Sequence, residues 1–377
     1  MKWRRFYAIF RKEGLHITRD WRSLWMALAM PLLLLLLFGY ALTLDVDQIP
    51  TVVYDQDQTP QSRELIARLS GSRYFQIVER RGDYAGIIRR FDRSTALLGV
   101  VIPSEFGRNL AANEDVAVQL LLDGSDSNTA SIAAGYAEAL IMAYSAELRQ
   151  EQMMRRGAGK LKQPIDPRVR VLYNNEMKSR NFIIPGLIAV ILMIIASMLT
   201  SLTVAREWEN GTMEQLLSTP VRPTELLMGK LCAYFVLGMT DMAIALVVGV
   251  GVFGVPLRGS PLLLIGASAL FLFGALCWGI FLSTVMRSQE LAYQISLLSS
   301  FLPAFLLSGF IFAIENMPLV IQQVTRIVPA RYFVSILQGI FMKGVGFTVL
   351  WTNFLFLFIY AALIFTLANR KMRQKMA

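Results

Sequence analysis

Six runs of about 20 apolar residues, beginning near Leu24, Phe182, Leu226, Pro261, Leu291 and Thr348, leave this chain few folds to choose from. At about 1.5 Å of rise per residue such a run matches the roughly 30 Å hydrocarbon core of a bilayer. In hydrocarbon only a structure that satisfies its own backbone polar groups is stable. The expected fold class is therefore an α-helical polytopic membrane protein with six transmembrane helices. Composition agrees: 55% of residues are hydrophobic and 17% charged, against about 25% charged in soluble domains.

The first run, LWMALAMPLLLLLLFGYALTL, follows a basic amino terminus. It is too long for a secretory h-region and lacks an A-x-A-like cleavage site, so it reads as a retained anchor. Basic residues set orientation. Seven precede the first run, Arg206, Arg222, Lys230 and Arg287 fall in or beside the connectors on the same side, and four close the tail. The short opposite loops hold only Arg258, Arg326, Arg331 and Lys343. Both termini and the connector after the second run are thus expected in the cytoplasm. The net charge of +10 is not a nucleic-acid footprint: residues 45–180 carry 18 basic and 18 acidic residues, so the whole excess belongs to the membrane-associated part, where it serves topology. Cys232 and Cys277 both lie in apolar runs, which implies no disulfide framework.

The chain then organises itself. Residues 1–23 interleave Trp3, Phe6, Tyr7 and Phe10 with basic residues at helical spacing, as an amphipathic helix in the cytoplasmic interface does; an unstructured basic tag is the alternative. His16, the single histidine, reads as a surface residue. Residues 24–44 are the first transmembrane helix. Residues 45–180 form a large α/β extracytoplasmic domain, because strand-like runs at 50–54, 74–78, 96–102, 116–122 and 169–173 alternate with helix-like ones at 61–69, 84–91 and 127–154. Asp55, Asp57, Asp123 and Asp126 lie in turn-rich stretches without calcium-loop spacing, so capping is the expected role. Residues 155–164 read as a loop. Residues 181–377 carry helices two to six, and the apolar stretch of about 308–347, broken by Pro318, Pro329, Gly339, Gly344 and Gly346, reads as re-entrant helices buried against protein. A seventh span is the competing reading, and it would put the basic tail outside.

Catalytic chemistry finds no footing. GAGKL at Gly157 and MGKLC at Gly229 lack the Ser or Thr of a phosphate-cradling loop. G-x-S-x-G, H-E-x-x-H and C-x-x-C do not occur, and one histidine cannot build a His-activated nucleophile site. The expectation is a non-enzymatic chain with no cofactor and no metal of its own. Among intramembrane acids only Asp241 lies near the middle of a run; an interhelical hydrogen bond or a contact to cationic substrate would each account for it.

The connector AREWENGTMEQLLSTPVRP, Ala205–Pro223, interrupts the apolar pattern. Gly211 breaks the chain, Thr212 and Gln215 have the spacing of a capping box, and Pro220 stops the helix they would start. That helix puts Met213, Leu216 and Leu217 on one face, with Glu214 and Ser218 on the other. So short a helix is marginal alone, and a partner's groove would receive its apolar face. Arg222-Pro-Thr-Glu225 caps the next run.

REWENGTMEQLLSTPVRPTELLMGK resembles the signature region of the ABC-2 type family of ATP-binding-cassette exporter membrane subunits, bacterial multidrug-type permeases in particular. LSGFIF and IVPARYFVSILQGIF are similar to that family's late outer segment. The resemblance spans essentially the whole chain. It implies a permease in the bacterial inner membrane that exports drugs or other hydrophobic molecules, paired with a second permease, identical or related. It also implies that ATP and magnesium are bound by a separate cytoplasmic ATPase subunit, and that a periplasmic adaptor is a further partner. The implied coupling element, about 206–220, involves Arg206, Glu207, Trp208, Glu209, Gly211, Thr212, Met213, Glu214, Leu216, Leu217 and Pro220. Arg206 and Trp208 would anchor it at the lipid boundary.

Thr200, Ser201, Thr203, Gln294, Ser296 and Ser299, with Asp241, are candidates for the substrate path or for packing hydrogen bonds. Ala275 and Gly279 have the small-x-x-x-small spacing of close helix contact. The alternative function is a non-transporting membrane sensor or scaffold with a ligand-binding outer domain. A single acid and the lack of an inverted repeat disfavour an ion-coupled carrier.

Overall fold

Trp3–Arg19 folds as α1, whose Ile9, Glu13 and Ile17 face inward at successive turns while Trp3 and Tyr7 stay exposed. Trp21–Ala41 follows as α2, with Pro31 inside it. The computed structural model describes residues 3–41, 47–81, 83–112, 114–155, 172–174, 178–286 and 288–376. The chain divides into two units: Asp45–Arg170, and Met1–Leu44 together with Val171–Ala377.

The first of these units is α/β. In chain order it runs β1 (Ile49–Asp55), α3 (Pro60–Gly71), β2 (Phe75–Arg81), α4 (Tyr84–Asp92), β3 (Leu98–Ile102), α5 (Phe106–Ala112), β4 (Gln119–Leu122) and α6 (Ser127–Arg155). The sheet order is β2-β1-β3-β4, with the first two pairings parallel and β3–β4 antiparallel. Period-two alternation sends Val53 and Val100 into one core with Leu65, Leu69 and Ala137, and Val52 and Val101 into another with Ile87. Helices thus cover both faces. The acidic turns act as caps: Asp55 Oδ1 accepts the Asp57 and Gln58 N–H groups at 3.1 and 3.0 Å, Asp57 Oδ2 accepts that of Gly107 at 2.9 Å, and Asp123 accepts that of Ser125 at 3.0 Å. The sequence did not announce α5. The expected strand at 169–173 and the loop at 155–164 lie largely outside the described residues, as does Arg287.

The helical unit continues with α7 (Arg180–Glu209), α8 (Thr212–Leu217), α9 (Pro223–Gly251), α10 (Pro261–Val285), α11 (Gln289–Leu306), α12 (Leu319–Thr325), α13 (Pro329–Gln338) and α14 (Phe347–Met376). Among the described residues four helices, α7, α9, α10 and α14, are long and apolar enough to cross a membrane. The other two expected spans correspond to α2, whose apolar part is Ala27–Ala41, and α11, which opens on Gln289 and Glu290 and is 18 residues long. α7 sits innermost, with Ile183–Ile194 buried throughout.

The 308–347 stretch is broken as its Pro and Gly residues require. α12 and α13 are 7 and 10 residues long, or about 10 and 15 Å, too short for a seventh span. α13 buries Phe333, Val334, Ile336 and Leu337, and Phe333 stacks on Phe271 of α10 at 4.1 Å. A π-helical turn, Gly339–Lys343, accepts the Gly259 N–H at Ile340 O, 2.9 Å away.

Small and hydroxylic residues join α7, α10 and α11. A Cβ on Gly279 would collide with Thr200 Oγ1 and the Ser197 carbonyl, so α10 crosses α7 in backbone contact there. Replacing Gly279 by Val should destabilise the protein by about 1–3 kcal/mol through overpacking; a lowered thermal midpoint in detergent is the readout, while Gly266→Ala, where nothing lies within 4 Å of the added Cβ, should change it far less.

Candidate functional site

Arg206–Glu209 forms the last turn of α7 rather than a loop. Asn210 ends it, and Gly211 adopts φ 68°, a left-handed conformation that glycine enters without a Cβ penalty. The expected Thr212–Gln215 capping box is not formed. Gly211 is the N-cap without a side-chain bond, and the Thr212 hydroxyl instead donates back to the Glu207 carbonyl at 3.3 Å. The reason is geometric: α7 persists to Glu209, so the hydroxyl meets a free C-terminal carbonyl of that helix before it can turn to its own N-terminus.

α8 also disposes of its apolar face differently from expectation. Met213 is fully buried in the unit's own core and Leu216 packs against that core. The apolar face is taken intramolecularly and leaves Glu214, Gln215 and Ser218 outward; the Leu217 side chain lies outside the described residues. Beyond α8, Pro220 is exposed and its carbonyl accepts from Arg5 of α1. Glu225 is fully buried and its Oε2 accepts the Arg222 N–H at 3.2 Å, the cap the sequence announced.

Beneath α8 lies a charge cluster. The Lys230 ammonium of α9, with 1% of its side chain exposed, donates to Glu13 Oε1 of α1 at 2.8 Å and lies 3.0 Å from Glu207 Oε1 of α7. Lys12 of α1 adds a donor to Glu207 Oε1 at 2.7 Å and lies 3.6 Å from Glu13. Burial alone would raise the Glu13 pKa, but Lys230 and Lys12 outweigh it and hold the carboxyl below its ordinary range. Burial opposes the Lys12 charge in the same way, and Glu207 and Glu13 nevertheless raise its pKa. Four charges thus bind α1, α7 and α9 at one point.

The other end of the turn is tied to α11. Glu209 Oε2 accepts the Gln289 backbone and side-chain N–H groups at 3.0 and 2.9 Å. Arg206 Nε donates to Gln289 Oε1 at 3.2 Å, and the Lys375 ammonium of α14 lies over the Trp208 ring at 5.3 Å. Arg206 and Trp208 therefore hold neighbouring helices. A cleft of about 370 Å³ opens here, lined by Lys230, Glu13, Glu207, Arg206, Thr212 and Gln215.

The candidates for a substrate path are placed differently. Ser296 Oγ shares a hydrogen bond with Ser197 Oγ at 2.7 Å, Thr200 Oγ1 donates to the Leu276 carbonyl at 3.0 Å, and Thr203 Oγ1 donates to the Thr200 carbonyl at 2.8 Å. Ser201 Oγ donates to the Met198 carbonyl at 2.7 Å, Ser299 accepts the Trp278 Nε1–H at 3.1 Å, and Gln294 is exposed and donates to Glu290 at 3.2 Å. Asp241 is buried in α9, and its neighbour Thr240 donates within the helix to the Val236 carbonyl at 2.9 Å. Sequence reasoning missed Glu13 and Lys230. The signal for Glu13 was its place four residues from both Ile9 and Ile17, on the apolar stripe of α1.

Comparison with known proteins places this arrangement in context. A family model described as ABC-2 family transporter protein matches residues 21–369. A probable multidrug ABC transporter permease, YbhS of Escherichia coli K12, is 39% identical over 380 residues, covering 100% of this chain and 98% of that protein. The probable multidrug ABC transporter permease YbhR of the same organism is 30% identical over 371 residues, 98% and 99% of the two chains. The inner membrane transport permease YhhJ is 31% identical over 289 residues, 75% and 74%.

The charge cluster predicts an asymmetric mutational response. Lys230→Met should cost about 3–5 kcal/mol because it strands buried carboxylate charge, while Lys12→Ala, at a half-exposed site, should cost below about 1 kcal/mol. Combining Lys230→Met with Glu13→Gln should recover part of the loss in a double-mutant cycle of thermal midpoints. The depressed Glu13 pKa sets a pH window: its contribution is fully present above the unfolded value of about 4.3 and is lost as pH falls through the lower folded value. Glu13→Gln should therefore flatten the acid limb of stability against pH.

Proposed function

This chain belongs to the ABC-2 family of transporter proteins, and from that premise we propose that α8 is the element through which a separate ATPase drives it. The chain is the membrane permease subunit of an ATP-binding-cassette exporter. The relatives' permease names favour this over the sensor or scaffold reading. In the proposed arrangement α2, α7, α9, α10, α11 and α14 are the six spans, the α/β unit is extracytoplasmic, and both termini and α8 face the cytoplasm of a bacterial inner membrane. A second permease, identical or related, completes the pathway, and a periplasmic adaptor is a further partner for the α/β unit. ATP and magnesium bind the ATPase. The cargo is a drug or another hydrophobic molecule, as the names of the multidrug relatives suggest.

One observation carries the coupling proposal: α8 is a short helix seated by Met213 on the core, entered through Gly211, directly beside a charge cluster shared by three helices. A push on the outward Glu214–Gln215 face is passed by Met213 and the Thr212–Glu207 contact to α7. From there Lys230 carries it to α9 and α1. Of the residues that the resemblance assigned to coupling, Glu207 and Glu209 act inside the chain, while Glu214, with its neighbour Gln215, is left to meet the ATPase.

The test is co-purification of the ATPase encoded with this chain, and its ATPase rate in proteoliposomes, for wild type against Glu214→Arg combined with Gln215→Arg. Both side chains face outward, so the thermal midpoint should stay unchanged while capture or coupled turnover falls at least about tenfold, ~1.4 kcal/mol. Equal capture and equal turnover would remove α8 from the contact.

A further inference from the structure

The cleft of about 370 Å³ beside the charge cluster adjoins two further spaces, one of about 830 Å³ and one of about 40 Å³. His16 of α1 and Arg206 of α7 border all three. The largest is bordered on α1 by Ala8, Arg11, Lys12, Leu15, His16 and Arg19, which share one face of that helix.

Charge on this lining is not balanced. Within the cluster Lys12 and Lys230 are matched by Glu13 and Glu207. Arg11, Arg19 and Arg206 are left over: none of the three forms an ion pair with the described residues, and Asp20 supplies one carboxylate to the largest space. Arg206 is half-buried, its Nε bonded to the neutral Gln289 side chain. It stands at the end of an apolar stripe of α7, one turn beyond Leu202 and two beyond Leu199. Those two leucines, with Leu237 of α9, line the smallest space.

Tyr234 of α9 borders both inner spaces beside Arg206. It is 9% exposed, and its hydroxyl makes no hydrogen bond with the described residues. The orphaned indole N–H of Trp208 is sealed inside the unit, whereas the Tyr234 hydroxyl keeps open surface. Buried donors normally have an acceptor. A hydroxyl that opens on a cavity, next to a half-buried cation without a counter-ion, therefore marks a place for an anionic oxygen.

Both α7 and α9 are long and apolar enough to cross a membrane, and the site lies where their apolar stretches give way to Arg206 and Lys230. An anion joined to hydrocarbon meets both kinds of lining: phosphate oxygens face the three arginines and Tyr234, and an acyl chain lies along Leu199, Leu202 and Leu237. A free phosphate would leave that apolar wall uncovered. We propose that α1, α7 and α9 together bind the head group of an anionic phospholipid. Basic pockets between membrane helices suit such head groups. The proposal needs only that α7 and α9 span the membrane, so it stands apart from the role of α8 and from the side to which α1 turns.

The probe is dioleoylphosphatidylglycerol, titrated onto the purified full-length chain in detergent without ATPase and followed by native mass spectrometry. Dioleoylphosphatidylcholine and glycerol 3-phosphate are the comparison ligands. Wild type should take up one phosphatidylglycerol saturably, phosphatidylcholine at least about fivefold more weakly, the scale of one charge at a membrane surface, and no glycerol 3-phosphate at concentrations that saturate with the lipid. Arg11→Gln with Arg19→Gln should weaken phosphatidylglycerol about 25-fold without moving the ligand-free thermal midpoint, since both side chains are exposed. Tyr234→Phe should weaken it about fivefold, the scale of one hydrogen bond. Arg370→Gln with Arg373→Gln removes the same charge from exposed positions of α14 outside the lining and should leave affinity unchanged. Equal weakening by the two arginine pairs would mean diffuse surface charge and overturn the proposal. So would unchanged affinity in the Arg11–Arg19 or Tyr234 variant, equal affinity for phosphatidylcholine, uptake of glycerol 3-phosphate as tight as that of the lipid, or no saturable binding to wild type.

Discussion

Removing Lys230 from water is the event around which the helical unit is arranged. An ammonium with 1% side-chain exposure carries a desolvation penalty of several kcal/mol, and only close anionic partners offset it. Glu13 and Glu207 are those partners, one from each neighbouring helix. Since a buried cation tolerates little separation from its counter-ions, α1 is not free to float in the interface as a generic amphipathic helix. It is pinned by Glu13, with Ile9 and Ile17 packed a turn above and below. Lys12, half-exposed, brings the cluster to two cations against two carboxylates.

The remaining helices are joined by a different chemistry. Where α7, α10 and α11 meet, hydroxyls satisfy one another or spare carbonyls, as in the Ser197–Ser296 pair and the Thr200–Leu276 bond. Ser283 Oγ accepts the Val204 and Ala205 N–H groups, each at 2.9 Å. Such interhelical bonds are worth about 0.6 kcal/mol each in a membrane. Close backbone approach at Gly279 adds dispersion contact that a larger residue would forbid.

Much of this was legible in the sequence because it is written in period and punctuation. The short apolar runs around VVY and LLGVVI, set between helix-like stretches, gave strands whose two faces feed two cores, and the run from Pro223 gave the start of α9. The broken pattern after Ser308 gave short helices, because Pro329 fits only a first turn. What stayed hidden depends on partners distant in sequence. Thr212 and Gln215 satisfy the spacing of a capping box, yet the neighbouring helix end competes for the hydroxyl. Lys230 reads as a flanking topology charge until α1, 217 positions away, is brought against it. Period identifies which face is buried; it does not say what lies opposite.

These unequal strengths order the motions open to the unit. Sliding α9 against α7 or α1 would part Lys230 from a buried carboxylate, at a cost of about 3–5 kcal/mol. Parting α11 from α7 near its middle breaks the Ser197–Ser296 bond, on the order of 0.6 kcal/mol, although Gln289 still holds its N-terminal end to Glu209. By polar contacts alone the tie between α11 and α7 is the weaker one, while α1, α7 and α9 are held to one another by buried charge. Under the proposed coupling role of α8, a push on it would reach that charge-bound group first, through Met213 and the Thr212–Glu207 contact.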